Sequence, residues 1–214
     1  MKTFIFLGNL LGNGASNLTA ANEAVLIRAS RSGCGQSFGK LVQLHEQRVY
    51  NVVYRLVNHR DDAQELTQET FLRAYAKLDT FSGDSRLYSW LFRIATNLAL
   101  SHRRRKRVVK FEPISPSQED GFERGVSEQA EVARRRVAAP DQAVLQQETR
   151  ERIADALSEL DDEHRPAVVL RDVGGLNYDE IAGALNLPVG TVKSRIHRGR
   201  LLLRKALKDL VGTE

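Results

Sequence analysis

Apolar residues recur along this chain at helical spacing, and no stretch alternates apolar and polar with a period of two. Phe38, Leu41, Val42, His45, Val49, Val52, Val53 and Leu56 share one face, which predicts an amphipathic helix over 37–57. His45 on that face reads as a packed core histidine, since no companion metal ligands accompany it. A second helix is predicted over Asp61–Leu78, with Ala63, Leu66, Thr70, Phe71, Ala74 and Leu78 inward. Asp61 and Asp62 open it, where carboxylates complement the helix dipole. A polar loop, Asp79–Arg86, leads to a third helix beginning near Ser85, with Leu87, Trp90, Leu91, Ile94, Ala95 and Leu98 inward. These three helices can share one apolar core.

The pattern fades over 108–146. Pro113, Pro116 and Pro140, with many Ser, Gln and Glu, mark a linker that is partly helical around Glu123–Val137. Helical spacing resumes at Ile153, Leu157 and Leu160, then at Val168, Val169, Leu170 and Val173. Pro166 falls early in that second segment, where a missing N–H costs least, and Gly174-Gly175 ends it. The fold class is all-α: two small helical domains, 22–107 and 147–214, joined by a flexible linker over 108–146. Residues 1–21 form a poorly ordered N-terminal extension. Their lysine and short apolar run faintly resemble a signal peptide, but one charge and the interrupting Gly8 and Asn9 argue against export.

The last two helices form a helix-turn-helix. Asn177 can cap the first and Glu180 can reach back to it as a capping box. Asn186-Leu187-Pro188 breaks that helix, and Gly190-Thr191 opens the next. There Val192, Ile196, Gly199 and Leu203 make an inward stripe, while Lys193, His197, Arg200 and Arg204 run parallel to it, facing out. From Lys193 to Lys208 there are seven Lys/Arg and no acid. A merely solvated helix mixes its charges to gain i,i+4 pairs. A positioning helix followed by a basic helix is the geometry that lays side chains in a DNA major groove. The helix N-terminus with the Thr191 hydroxyl suits a phosphate.

Charge sharpens this picture. The chain has 214 residues and a formal net charge of +5, distributed unevenly. His102–Arg107 is one basic block and the C-terminal helix another, so a polyanion is gripped in two places. The single cysteine, Cys34, excludes an internal disulfide and a Cys-based zinc site. No apolar run reaches the length of a membrane helix. The five histidines lack metal-ligand spacing, and no phosphate-cradling glycine loop or nucleophile elbow is present. The adjacent acids Asp61/Asp62 and Asp161/Asp162 read as helix caps. An enzyme is not expected, nor a metal, a cofactor or a small-molecule substrate.

Three segments resemble a known family. Asp61-Asp62-Ala63-Gln64-Glu65-Leu66-Thr67-Gln68-Glu69-Thr70-Phe71 resembles the polymerase-binding helix of bacterial sigma factors. Trp90–Ala99, with the basic tail behind it, resembles their promoter-melting segment. Gly175–Ala182 and Pro188–Ile196 resemble their C-terminal helix-turn-helix. Two such domains in this order suggest the extracytoplasmic-function (ECF) group. The likeness covers roughly 22–107 and 145–210.

The resemblance implies a cytoplasmic protein that binds core RNA polymerase and directs promoter-specific initiation. Asp61, Asp62, Glu65, Leu66, Gln68 and Glu69 would dock on the polymerase. Phe81, Ser85, Arg86, Trp90, Arg93 and Asn97 would capture an unstacked base at the minus-ten element, with Arg103, Arg104 and Arg105 on phosphates. Flipping a base costs on the order of a few kcal/mol, which stacking and backbone contacts must offset. Trp90 is read equally as a core residue. Thr191, Lys193, Ser194, Arg195, His197, Arg198, Arg200 and Arg204 would meet the minus-thirty-five element. Control would fall to a separate anti-sigma factor. The alternatives are a stand-alone helix-turn-helix repressor or activator, and an adaptor that titrates a regulator.

Overall fold

The computed structural model describes residues 20–111, 149 and 152–208, which form helices, turns and no strand. In chain order they are α1 (Ala20–Arg31), α2 (Gly35–Val57), α3 (Arg60–Ala76), a 3-10 turn (Leu78–Thr80), α4 (Leu87–Phe111) and α5 (152–159). Then come α6 (Arg165–Val168), continued by a π turn (Val169–Val173), α7 (Tyr178–Leu185) and α8 (Val189–Ala206). The expected N-terminal extension up to residue 19, the bulk of the linker and its expected helix at Glu123–Val137 lie outside the described residues.

The first half is a bundle around α2. Leu41, His45, Val49, Val52, Val53 and Leu56 are buried on one face, as their spacing predicts. His45 is a core histidine, its Nε2 2.7 Å from Glu23 of α1. That contact ties down α1, a helix the apolar pattern did not announce. Among the described side chains of α1 only Ile27 and Ser30 are buried, so its hydrophobic stripe is too thin to read. Asn58 closes α2 in the left-handed conformation (φ 53°), which asparagine tolerates better than most residues.

Boundaries shift slightly. The second predicted helix, α3, ends at Ala76, and a separate 3-10 turn follows. His59, rather than an aspartate, is its N-cap: its Nδ1 accepts from the Asp62 N–H at 3.4 Å. Asp61 and Asp62 occupy the first turn, at the positive end of the dipole. The third, α4, starts at Leu87 rather than Ser85 and runs to Phe111. In the second acid pair, Asp161 Oδ1 accepts from the Glu163 and His164 N–H groups at 3.1 and 2.9 Å within the turn that leads into α6, whose N-cap is His164 without a side-chain bond.

The second half is built on α6 and α8. Pro166 lies in the first turn of α6, and Gly175 leaves the π turn with φ 73°. Gly199 of α8 lies directly against α6, where a Cβ would come 2.6 Å from Val168 Cγ2. The two halves pack together, and their apolar residues form one continuous cluster from Ile27 to Leu207. Cys34 is exposed at the start of α2. The Ser37 hydroxyl donates to its sulfur at 3.2 Å and holds the thiol below its ordinary range.

Candidate nucleic-acid interface

The helix-turn-helix is built as its sequence predicts. Asn177 Oδ1 accepts from the Glu180 N–H, and Glu180 Oε2 accepts from the Asn177 N–H, both at 2.8 Å. A cap of this kind stabilises a helix by about 1 kcal/mol. Asn186 ends α7 with φ 54°, and Pro188 is the N-cap of α8. That places the start of α8 at Val189, one residue ahead of Gly190. Val192, Ile196, Gly199 and Leu203 are all buried. The side chains of Lys193, Ser194, His197, Arg198 and Arg204 are exposed, and Thr191 is half-buried at the N-terminal turn. Lys193 Nζ lies 5.6 Å above the Tyr178 ring, a cation–π contact that aims it across the helix pair.

Two arginines depart from the expected open row. Arg200 is half-buried and forms a two-point ion pair with Asp172 of the π turn, with Nε–Oδ2 at 3.2 Å and Nη2 on Oδ1. The Asp172 hydrogen bond raises the Arg200 pKa above its ordinary value, against the opposing effect of burial. Arg195 is half-buried, 3.3 Å from Glu163. Periodicity places a residue on a face but does not reveal an acid arriving from another helix.

The α3 row is likewise divided. Asp61, Glu65 and Gln68 are exposed. Glu69 pairs with Arg73 at 2.5 Å. Leu66 is 2 % exposed and belongs to the core beneath this surface, not to the surface itself. Asp62 is not free to meet a partner as its spacing suggested. It is 2.6 Å from Lys106 Nζ, 3.1 Å from His102 Nε2 and 3.5 Å from His59 Nδ1. Burial pushes its carboxyl up, but the hydrogen bonds from Lys106 and His102 outweigh that and hold it below the ordinary carboxylate range.

On α4, Arg93 and Asn97 are exposed, and Ser85 and Arg86 lie exposed in the preceding loop. Arg86 Nη1 donates to the Tyr88 hydroxyl at 2.9 Å. Trp90 is half-buried and packs on Phe81, with ring centroids 5.3 Å apart. It thus serves the core on one side and is open on the other. Phe81 is 5 % exposed, and its carbonyl accepts from Arg31 Nη2, so it supports Trp90 from below rather than presenting its own ring. Arg104 and Arg105 are exposed. Arg103 turns inward, donating to the Leu56 carbonyl at 2.6 Å and pairing with Asp162.

The contacts joining the halves were absent from the sequence reading. Arg165 is 5 % exposed and donates to the carbonyls of Leu160 (2.7 Å), Ser158 and, across the junction, Leu56 (3.3 Å). Nothing near Arg165 in sequence reveals its burial or its acceptors. Among the described residues no helix is long and apolar enough to cross a membrane. No cluster of three metal-ligating side chains occurs among them either.

The fold thus presents an acidic row on α3, a half-buried tryptophan on α4 and a basic row on α8. The Sigma-70 region 2 family matches residues 41–108, and Sigma-70 region 4 matches 150–203. The chain is 35% identical over 184 residues to the ECF RNA polymerase sigma factor SigW of Bacillus subtilis, covering 86% of this chain and 96% of that one. It is 32% identical over 195 residues to the RNA polymerase sigma-H factor of Pseudomonas aeruginosa, covering 91% and 98%. Among solved structures, RpoE of Bartonella quintana in complex with the anti-sigma factor NepR is similar (TM-score 0.59, 26% identity, 81% and 98% coverage). CnrH in complex with the cytosolic domain of CnrY shares the fold (TM-score 0.60, 24% identity, 88% and 98% coverage). The chain belongs to the ECF sigma-factor family. As such it binds core RNA polymerase and directs promoter-specific initiation.

Proposed function

We propose that this sigma factor divides its work between two units, 22–107 and 147–214, and that each named surface has one task. The exposed face of α3, carried by Asp61, Glu65 and Gln68, docks on the polymerase. The open side of Trp90, with Ser85, Arg86, Arg93 and Asn97, holds an unstacked base of the minus-ten element, while Arg104 and Arg105 grip phosphates. On α8, Lys193, Ser194, His197, Arg198 and Arg204 face the major groove of the minus-thirty-five element, with Thr191 at a phosphate. The carrying observation is α8 itself, with its apolar stripe wholly buried and an acid-free basic row outside. The protein acts in the cytoplasm, carries out no catalysis of its own and needs no cofactor. A separate anti-sigma factor restrains it, a reading supported by the NepR complex of its Bartonella relative.

The test is a footprint of the holoenzyme on promoter DNA combined with permanganate detection of melted thymines. Trp90→Ala should abolish melting and keep upstream protection. The double variant Lys193→Ala/Arg204→Ala should lose upstream protection first. Loss of both signals together in each variant would contradict the division of labour.

A further inference from the structure

Helix α1 has no part in the surfaces assigned above, yet its last residue reaches the frame beneath Trp90. Arg31 Nε donates to the Leu78 carbonyl at 3.2 Å, and its Nη2 donates to the Phe81 carbonyl. Leu78 opens the 3-10 turn and Phe81 is its C-cap. The Leu78 carbonyl also accepts from the Phe81 N–H at 3.2 Å, the bond that closes the turn. Arg31 thus clasps the turn at both ends. Its helix is fixed in turn by Ile27 in the core and by Glu23 on His45, so the guanidinium reaches out from a packed support.

What Arg31 holds is the base of the capture surface. Phe81 is buried, and its ring centroid lies 5.3 Å from that of Trp90. Beyond Phe81 the chain runs exposed from Ser82 to Arg86, with Gly83 at φ 87°, and returns to the core at Leu87. The far end of this loop is tied to α4 directly: the Arg86 carbonyl accepts from the Ser89 and Trp90 N–H groups at 3.0 and 3.3 Å. The near end is Phe81, with its ring against Trp90 and its carbonyl on Arg31. A planar guanidinium that donates two N–H bonds fixes the orientation of its acceptors as well as their distance. A tilt of Phe81 would move the ring under Trp90 and the start of the loop together.

We propose that Arg31 is a positioning residue for minus-ten recognition. It acts through the Leu78 and Phe81 carbonyls, presetting the Trp90 face and the 82–86 loop before DNA arrives, so that less ordering is left to do on binding. The recognition role rests on the minus-ten assignment of Trp90 and this loop, whereas the brace itself does not. The competing use of an exposed arginine is a DNA phosphate.

Trp90 is the chain's one tryptophan, so its fluorescence reads the frame directly in the free, full-length protein. Arg31→Ala should raise quenching of Trp90 by acrylamide, with helix content by circular dichroism unchanged. Holoenzyme carrying Arg31→Ala should melt minus-ten thymines about three- to tenfold more slowly, the effect of losing charge-assisted hydrogen bonds at a partly exposed site. It should also discriminate less among minus-ten sequences, while core affinity and upstream protection are kept. Arg31→Lys should behave like Arg31→Ala, because an ammonium lacks the planar fork. If Arg31→Ala loses helix, Arg31→Lys decides by the same readouts. Unchanged Trp90 quenching in both variants would overturn the brace. Full rescue by Arg31→Lys, with the salt slope of promoter binding lowered by about one in Arg31→Ala, would make Arg31 a phosphate contact and overturn it as well. Normal melting by Trp90→Ala holoenzyme would sink the minus-ten reading and the recognition role with it, and the free-chain fluorescence would still judge the brace.

Discussion

Helices α3 and α8 carry comparable patterns, a buried stripe on one side and a row of like charge on the other, yet they end in different states. The α8 row stays open over Lys193, His197 and Arg204, while the α3 row is closed at Asp62. The cause is the surroundings. The basic row of α8 has Asp172 and Glu163 within reach only at Arg200 and Arg195. The acidic start of α3 lies beside the basic block of α4, which pairs Asp62 with Lys106 and brings His102 Nε2 to 3.1 Å. A run of one sign stays open only where the fold brings no opposite charge to it.

The largest effect that can break this comparison is structural. Gly199→Ala should cost about 1–3 kcal/mol, because its Cβ would meet Val168 Cγ2 and the α6–α8 contact has no slack. Chemical denaturation measures it. An unchanged midpoint would mean that α8 can shift outward, loosening the frame that holds the reading row.

Charge reversal on α3 comes next. Glu65→Lys should weaken core-polymerase binding more than Asp62→Asn does, because Glu65 is exposed and Asp62 is already paired within the chain. Affinity titration with labelled core separates the two. Equal losses would mean that docking first releases Asp62 from Lys106.

On α8, selection from a randomised upstream element distinguishes reading from gripping. A lost bidentate base contact costs roughly 1–3 kcal/mol and relaxes one position, whereas a lost phosphate contact weakens all sequences alike. Lys193→Ala should change the preferred sequence and Arg204→Ala should not. Arg200→Ala is expected to change it less than Lys193→Ala, since Asp172 holds that guanidinium. A larger change with Arg200 would show that DNA displaces Asp172.

The smallest effect is on acid stability. Asp62 and Asp161 both have carboxyls held below the ordinary range: burial opposes this, but hydrogen bonds from Lys106 and His102, and from His164, prevail. Their folded values lie below their unfolded ones, so they stabilise the fold fully above about pH 4. That contribution is lost as pH falls through the lowered values. Thermal melts from neutral to acid should show this decline, and Asp62→Asn should flatten it. An equally steep decline in that variant would place the acid-sensitive groups elsewhere.

Local features were legible in the sequence. The stripe Val192, Ile196, Gly199 and Leu203 and the Asn177–Glu180 capping box depend on residues three or four apart, and both are present. The face of α2 was legible for the same reason. What escaped depends on pairs far apart along the chain: Asp62 with Lys106, Arg200 with Asp172, Asp162 with Arg103. Helix α1 escaped because its stripe is thin and its anchor is the polar Glu23–His45 contact. Phe81 and Leu66 were placed on partner surfaces because a motif gives position along a helix, not depth.

The most direct test is transcription itself. Core polymerase is incubated on a genomic DNA library with and without the purified chain, and RNA 5′ ends are sequenced. The chain should create new start sites preceded by two shared sequence elements at constant spacing, and Lys193→Ala should blur the upstream element alone. Start sites indistinguishable from those of core polymerase alone would contradict the account.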